Sequence, residues 1–219
     1  MKKRRAAALV LALLLMLAGC GQKAKTGTWN ANTNSIYVNH AMEVQSALVY
    51  TSETENDTYD QEEMKAFVEE AVIDYNTANG GASASENSEG AAKLPVALKS
   101  CALEGRTGTL VFEYATPDDF VRFSEENSDN THTVTAMSVS TVAEAAASGA
   151  FADAVFVNPS GKEVASAEAT KQSAYYVVMV NGAAVVQVEG PIAFMTKGIS
   201  LRDSYTAVTP EGKNYIIFK

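Results

Sequence analysis

The side chains that could carry chemistry are few and scattered. Histidine occurs only at His40 and His132. Zinc sites draw on Cys and His at short, repeated spacings. Neither histidine has such neighbours, and the chain holds no CxxC and no HExxH. Two unrelated surface or partly buried histidines, with no metal and no other cofactor, are the expectation. The densest carboxylate group is Glu53, Glu55, Asp57, Asp60, Glu62 and Glu63. Calcium loops wrap oxygen ligands around a sharp turn, often centred on glycine. This run has no glycine and leads straight into a helical pattern, so it reads as a solvated loop that complements a helix N-terminus. Nucleophile motifs are also missing: there is no GxSxG and no SxxK, and Ser160-Gly161-Lys162 belongs to a turn. No glycine-rich loop joins a strand to a helix in the way that cradles phosphate. Paired carboxylates could hydrolyse glycosides, but 26 acidic residues single out no pair. No catalytic residue is assigned. Of nine tyrosines, Tyr37, Tyr50, Tyr114, Tyr175, Tyr176 and Tyr215 fall on strand patterns. Core packing explains them, and sugar stacking on an exposed sheet is the alternative.

The N-terminus says more. Lys2, Lys3, Arg4 and Arg5 precede an unbroken apolar run, Ala6 to Ala18, of 13 residues. A spanning helix needs about 20, so the segment reads as a secretory signal. The run closes on Leu17-Ala18-Gly19-Cys20, which resembles the lipobox of bacterial lipoproteins. That resemblance implies that Leu17, Ala18 and Gly19 are recognised by a dedicated signal peptidase. It further implies cleavage just before Cys20 and a diacylglyceryl group on its thiol. One acyl chain binds a bilayer only marginally, whereas two hold firmly. The implied partner is thus the membrane, reached through lipid on Cys20, and the implied address is its extracytoplasmic face. Position 21 is Gly, where Asp would signal inner-membrane retention in a Gram-negative cell, so outer-membrane sorting is allowed in such a host; a Gram-positive host is favoured independently of that position.

Charge and cysteine narrow the classes further. Four of the 17 basic residues lie in the signal and all 26 acidic residues lie beyond it, so the mature chain carries a net charge of −13. Such a surface repels nucleic acid and anionic headgroups. With Cys20 lipidated, Cys101 has no partner in the chain, which excludes an intrachain disulfide framework. Cys101 is expected to be a small, inert core residue. Alternation along its strand would put Lys99 on the same face.

These residues need a scaffold, and its pattern is mixed. The expected divisions are residues 1–19, signal; 20–34, lipidated cysteine and flexible tether; and 35–219, one α+β globular domain. A free tether of this length would span on the order of 20 Å, with Trp29 either at the interface or packed on the domain. Ser35–Asn39 and Val44–Thr51 read as strands. Asp60 caps a helix to Asn79, whose apolar residues Met64, Phe67, Val68, Ala71, Val72 and Tyr75 recur at helical spacing. That spacing predicts Phe67 buried against a sheet, with Glu69 and Glu70 in water. Residues 82–92 read as a mobile loop. Val96–Leu103 and Thr109–Ala115 form a hairpin, and Thr116 caps a short helix with Pro117 at its first position. His132–Val139 reads as a strand, and Thr141 with Glu144 as a capping box. A strand over Phe151–Val157 precedes the strands Ala174–Val180, Ala184–Glu189, Ile192–Met195 and Tyr215–Phe218. Asn181-Gly182 predicts a hairpin between the first two of that last group. The sum is an α+β fold: a mainly antiparallel sheet with about three helices packed on it.

Four features, Ser35–Asn39, the Asp60–Asn79 helix, Lys99-Ser100-Cys101 and Tyr215-Ile216-Ile217, give a layout that resembles uncharacterised lipoproteins of Gram-positive anaerobes. That resemblance carries no activity. The functional expectation is a non-catalytic binding or interaction domain at the cell envelope, with a protein, peptide or glycan ligand. The alternatives are a solute-binding subunit of an importer and an envelope hydrolase with an unrecognised carboxylate site.

Overall fold

The computed structural model describes residues 27–53 and 60–219. Leu17, Ala18, Gly19 and Cys20 lie outside these residues, as do Glu55 and Asp57 of the acidic run.

Strand-forming sequence is distributed over two sheets. The first holds β1 (Ser35–Val38), β2 (Val44–Thr51), β3 (Val96–Glu104), β4 (Thr107–Tyr114), β9 (Ala184–Val188), β11 (Ser200–Leu201) and β12 (Thr206–Thr209). Their order is β11-β12-β9-β1-β2-β4-β3. The second holds β5 (Ala136–Thr141), β6 (Phe156–Val157), β7 (Glu163–Val164), β8 (Tyr176–Asn181), β10 (Ile192–Thr196) and β13 (Lys213–Phe218). Their order is β5-β8-β13-β10-β6-β7. Pairing is antiparallel except between β1 and β9, which run parallel. Among the described residues four helices complete the α+β fold: α1 (Gln61–Ala78), α2 (Pro117–Glu126), α3 (Val142–Ala147) and α4 (Ser166–Ala169).

Apolar alternation shows how the layers stack. Ile36 and Val38 of β1 and Val186 and Val188 of β9 share one buried cluster with Val178, Val180, Ile216 and Phe218 of the second sheet. Val68, Val72, Phe120 and Phe123 of α1 and α2 join that cluster over the β2-β4-β3 end of the first sheet. The far face of the second sheet buries Val177, Tyr215 and Ile217 with Val142, Phe151 and Ala169. Tyr215-Ile216-Ile217-Phe218 is therefore apolar on both faces because both faces are covered.

Several local expectations hold for physical reasons the sequence carries. Asp60 accepts from the Glu62 and Glu63 amides at the start of α1. Thr116 caps α2, and the reciprocal Thr141–Glu144 box opens α3. Others fail. No hairpin forms at Asn181-Gly182: β8 lies in the second sheet and β9 in the first. Gly182, at φ +136°, instead turns the chain between layers, and a Cβ there would overlap the Thr133 carbonyl. Residues 151–153 form turns, so the expected Phe151–Val157 strand shrinks to β6, and the strand predicted from His132 begins only at Ala136. The 82–92 segment is tied down, because the Leu98 amide donates to Ser85 O, Asn76 Nδ2 to Ala84 O and the Leu94 amide to Asn87 Oδ1.

Residues 27–34, expected to belong to the flexible tether, are docked on the domain. Residues 27–34 form a strap along the outer face of β1 and β9. The Gly27 amide donates to Glu189 O and Gln187 Nε2 to Thr28 O. Trp29 stacks on Tyr37 with ring centroids 5.1 Å apart and planes 6° from parallel. Trp29 thus packs on the domain.

Candidate functional site

Helix α1 presents a different face from the one its spacing suggests. Val68, Val72, Tyr75 and Asn76 are buried, while Phe67 is 75% exposed. Asn76 supplies the reason. Its side chain donates to Ala84 O and Val96 O and accepts from the Val96 amide, all from a fully buried position. A buried amide with these bonds is costly to withdraw, so the helix is rotated toward Asn76 and Phe67 is carried out of the core. Glu70 is exposed as expected; Glu69 is half-buried near Lys65 and Ser85.

The rotated helix leaves a groove of about 590 Å³ between α1, β2 and β4. Leu48, Leu110 and Phe112 line it from the sheet, Val68 and Ala71 from α1, and Phe123 from α2. Tyr50, 68% exposed, and Phe67 stand on its rim. Ser46 Oγ and Tyr114 Oη lie in its lining and share a hydrogen bond of 2.8 Å. Burial pushes the Tyr114 hydroxyl well above the usual tyrosine range, so it stays protonated. Tyr75, packed edge-on against Phe123, is pushed up to about 12 by burial first and then by the neighbouring Asp119 carboxylate.

One end of the groove is polar, and the C-terminus of α2 builds it. The Ser128 amide donates to Glu125 O and the Asp129 amide to Ser124 O. Ser128 has φ +54°. This is the Schellman arrangement, with serine where glycine is usual. It delivers Asp129 to the groove, flanked by Asn127, Asn130 and Thr131, with Asn34 of the strap opposite. Asp129 Oδ1 accepts from the Thr131 amide at 2.9 Å, and its Oδ2 lies 3.5 Å from His132 Nε2. Burial raises the Asp129 pKa, but the nearby His132 ring and the bonds from Thr131 outweigh it and hold the carboxyl below its usual range. His132 Nδ1 accepts from the Val134 amide at 3.1 Å, so the proton of the neutral ring sits on Nε2, toward Asp129. The imidazole packs on Phe120 at 5.0 Å.

The residues singled out from sequence are dispersed. His40 sits at the far end of the fold, 3.1 Å from Glu189 and bonded to Lys219 O, nowhere near His132. Among the described residues, no group of three or more His, Cys, Asp or Glu is placed to hold a metal. Tyr37, Tyr114 and Tyr215 make aromatic contacts within the structure, as do Tyr176 and Phe218; Tyr50 stands out in solvent. Cys101 is half-buried against the core, and burial raises its thiol pKa. Lys99 does not share its face: the register shifts between Leu98 and Ser100, and Lys99 Nζ bonds Gln45 Oε1 instead. Sequence reasoning missed Asp129, whose one local signal is His132 three residues on. It also missed Phe67 as a surface residue.

Among the described residues no helix is long and apolar enough to cross a membrane. Compared with known protein families, curated proteins and solved structures, the chain matches none.

Proposed function

We propose that this protein is a lipid-anchored binding domain on the extracytoplasmic face of the cell membrane, and that the groove beside Phe67 holds its ligand. The observation that carries the reading is an apolar concavity with two large aromatics exposed at its rim. Ligand pockets are mostly apolar with a few placed polar groups, and exposed apolar surface on such a rim marks an interaction site. A lining with one carboxylate, Asp129, suits binding and lacks the second carboxylate that glycoside hydrolysis uses.

The anchor half of the reading rests on Leu17-Ala18-Gly19-Cys20. The strap relates anchor to groove. Gly27 is fixed beside Glu189, and the strap runs antiparallel to β1 to reach Asn34 at the polar end of the groove. Seven residues from Cys20 to Gly27 reach at most about 25 Å. Gly27 lies at the Val38 end of β1 and Tyr50 beyond its Ser35 end, so an anchor on Cys20 would leave the rim on the side of the domain away from the bilayer.

The test uses the full chain and the neutral dye N-phenyl-naphthylamine, whose emission rises in apolar sites. Ala71→Trp should fill the groove and lower dye binding relative to wild type in the same detergent, with circular dichroism unchanged. Equal dye binding by the two proteins would refute the groove as the site.

A further inference from the structure

We infer that the ligand of this groove is a small cationic amphiphile: an apolar or aromatic body carrying a protonated amine, with the ammonium meeting Asp129. The inference rests on the groove being the binding site and adds the chemistry of what it takes. Three observations carry it. The apolar lining ends in a single carboxylate and holds no Lys, Arg or His, so the groove has one charge and its sign is negative. Asp129 is held ionised by the His132 ring 3.5 Å away and by its bonds to Thr131, yet 16% of its side chain remains accessible. Each carboxylate oxygen has two acceptor positions, and the Thr131 amide occupies one on Oδ1. The neighbouring lining residues Asn127, Asn130, Ser124 and Ser128 offer amide and hydroxyl oxygens, the acceptors a three-donor ammonium needs.

Charge separates the ligand classes. A carboxylate or phosphate ligand would meet Asp129 head-on in a site of low dielectric, inside a protein of mature charge −13, and like charges there are costly. A neutral alcohol would bond Asp129 without neutralising it. An ammonium neutralises it, and a hydrogen bond between charged partners is roughly twice as strong as a neutral one.

The experiment compares three probes of one shape on the full chain by calorimetry: phenethylamine, phenethyl alcohol and hydrocinnamate. Phenethylamine should bind about tenfold or more tightly than the alcohol, and hydrocinnamate should not bind. Asp129→Asn should bring the amine to the level of the alcohol. Asn130→Lys leaves Asp129 and its bond to Thr131 in place and places an ammonium beside them, so it should also abolish the amine preference, whatever the folding of the first variant. Ala71→Trp should weaken amine and alcohol alike. Alcohol or hydrocinnamate binding as tightly as the amine, with both still lost in Ala71→Trp, would overturn the charge assignment and leave the groove as the site. Binding of no probe, or binding that Ala71→Trp does not alter, would overturn both.

Discussion

At the residue scale, neighbours in sequence have opposite fates. Phe67 and Val68 are adjacent, yet one is 75% exposed and the other buried. Phe67→Ala should therefore change stability by no more than about 0.5 kcal/mol. Phe123→Ala, buried in the lining that α2 contributes to the groove, should cost about 3–5 kcal/mol; chemical denaturation of both variants compares them. Asp129 gives a pH signature. Burial pushes its pKa up, but the nearby His132 ring and the bonds from Thr131 leave it net below the usual value of 3.8. A depressed carboxylate contributes stability that is fully present above its unfolded pKa and is lost as pH falls through its folded pKa. Below about pH 4, wild type should lose stability more steeply than Asp129→Asn. Parallel acid-unfolding curves would remove Asp129 from that account. Cys20 belongs here too. Cys20→Ser should release the protein from membranes or leave it unprocessed. An unmodified N-terminus elsewhere, found by mass spectrometry of the wild type, would sink the lipid anchor.

At the scale of elements, caps were legible because they are local. Asp60, Thr116 and Thr141 bond amides two or three residues away, so residue type and spacing suffice to find them. The C-terminal end of α2 uses the same local logic with an unfavourable residue. Ser128 occupies left-handed backbone, which costs a non-glycine residue about 1–2 kcal/mol. Ser128→Gly should raise stability by about 0.5–1 kcal/mol, the remainder being offset by the greater freedom of glycine when unfolded. A lower melting temperature would mean that the Ser128 side chain does more than occupy the turn. The rotation of α1 was not legible, because the groups that draw Asn76 inward belong to Ala84 and Val96, on segments whose positions only the fold defines.

At the scale of the whole molecule, the chain repeatedly changes sheets: β8, β10 and β13 lie in one and β9, β11 and β12 in the other. Asn181-Gly182 carries the dipeptide of a tight hairpin, but the turn between layers needs the same freedom of glycine. Crowding against Thr133 makes the site intolerant. Gly182→Ala should cost at least about 2 kcal/mol, whereas an ordinary exposed turn would tolerate it better. A loss near 0.5 kcal/mol would show that the 133–134 backbone yields.

The amino-acid sequence by itself determined what depends on neighbours in the chain: the capped helices, the β3–β4 hairpin, the apolar strand Tyr215–Phe218 and the α+β class. It also carries the Leu17–Cys20 pattern on which the anchor proposal rests. Tertiary structure alone decided the two-sheet stacking, the parallel β1–β9 pair, the docking of residues 27–34 and the groove itself. Each of these depends on contacts between residues far apart in sequence: Ile36 with Val186, Thr28 with Gln187, and Asn34 with Val49. Periodicity tells which residues prefer burial; it does not tell which surface will cover them, and at Phe67 the buried hydrogen bonds of Asn76 outweighed that preference.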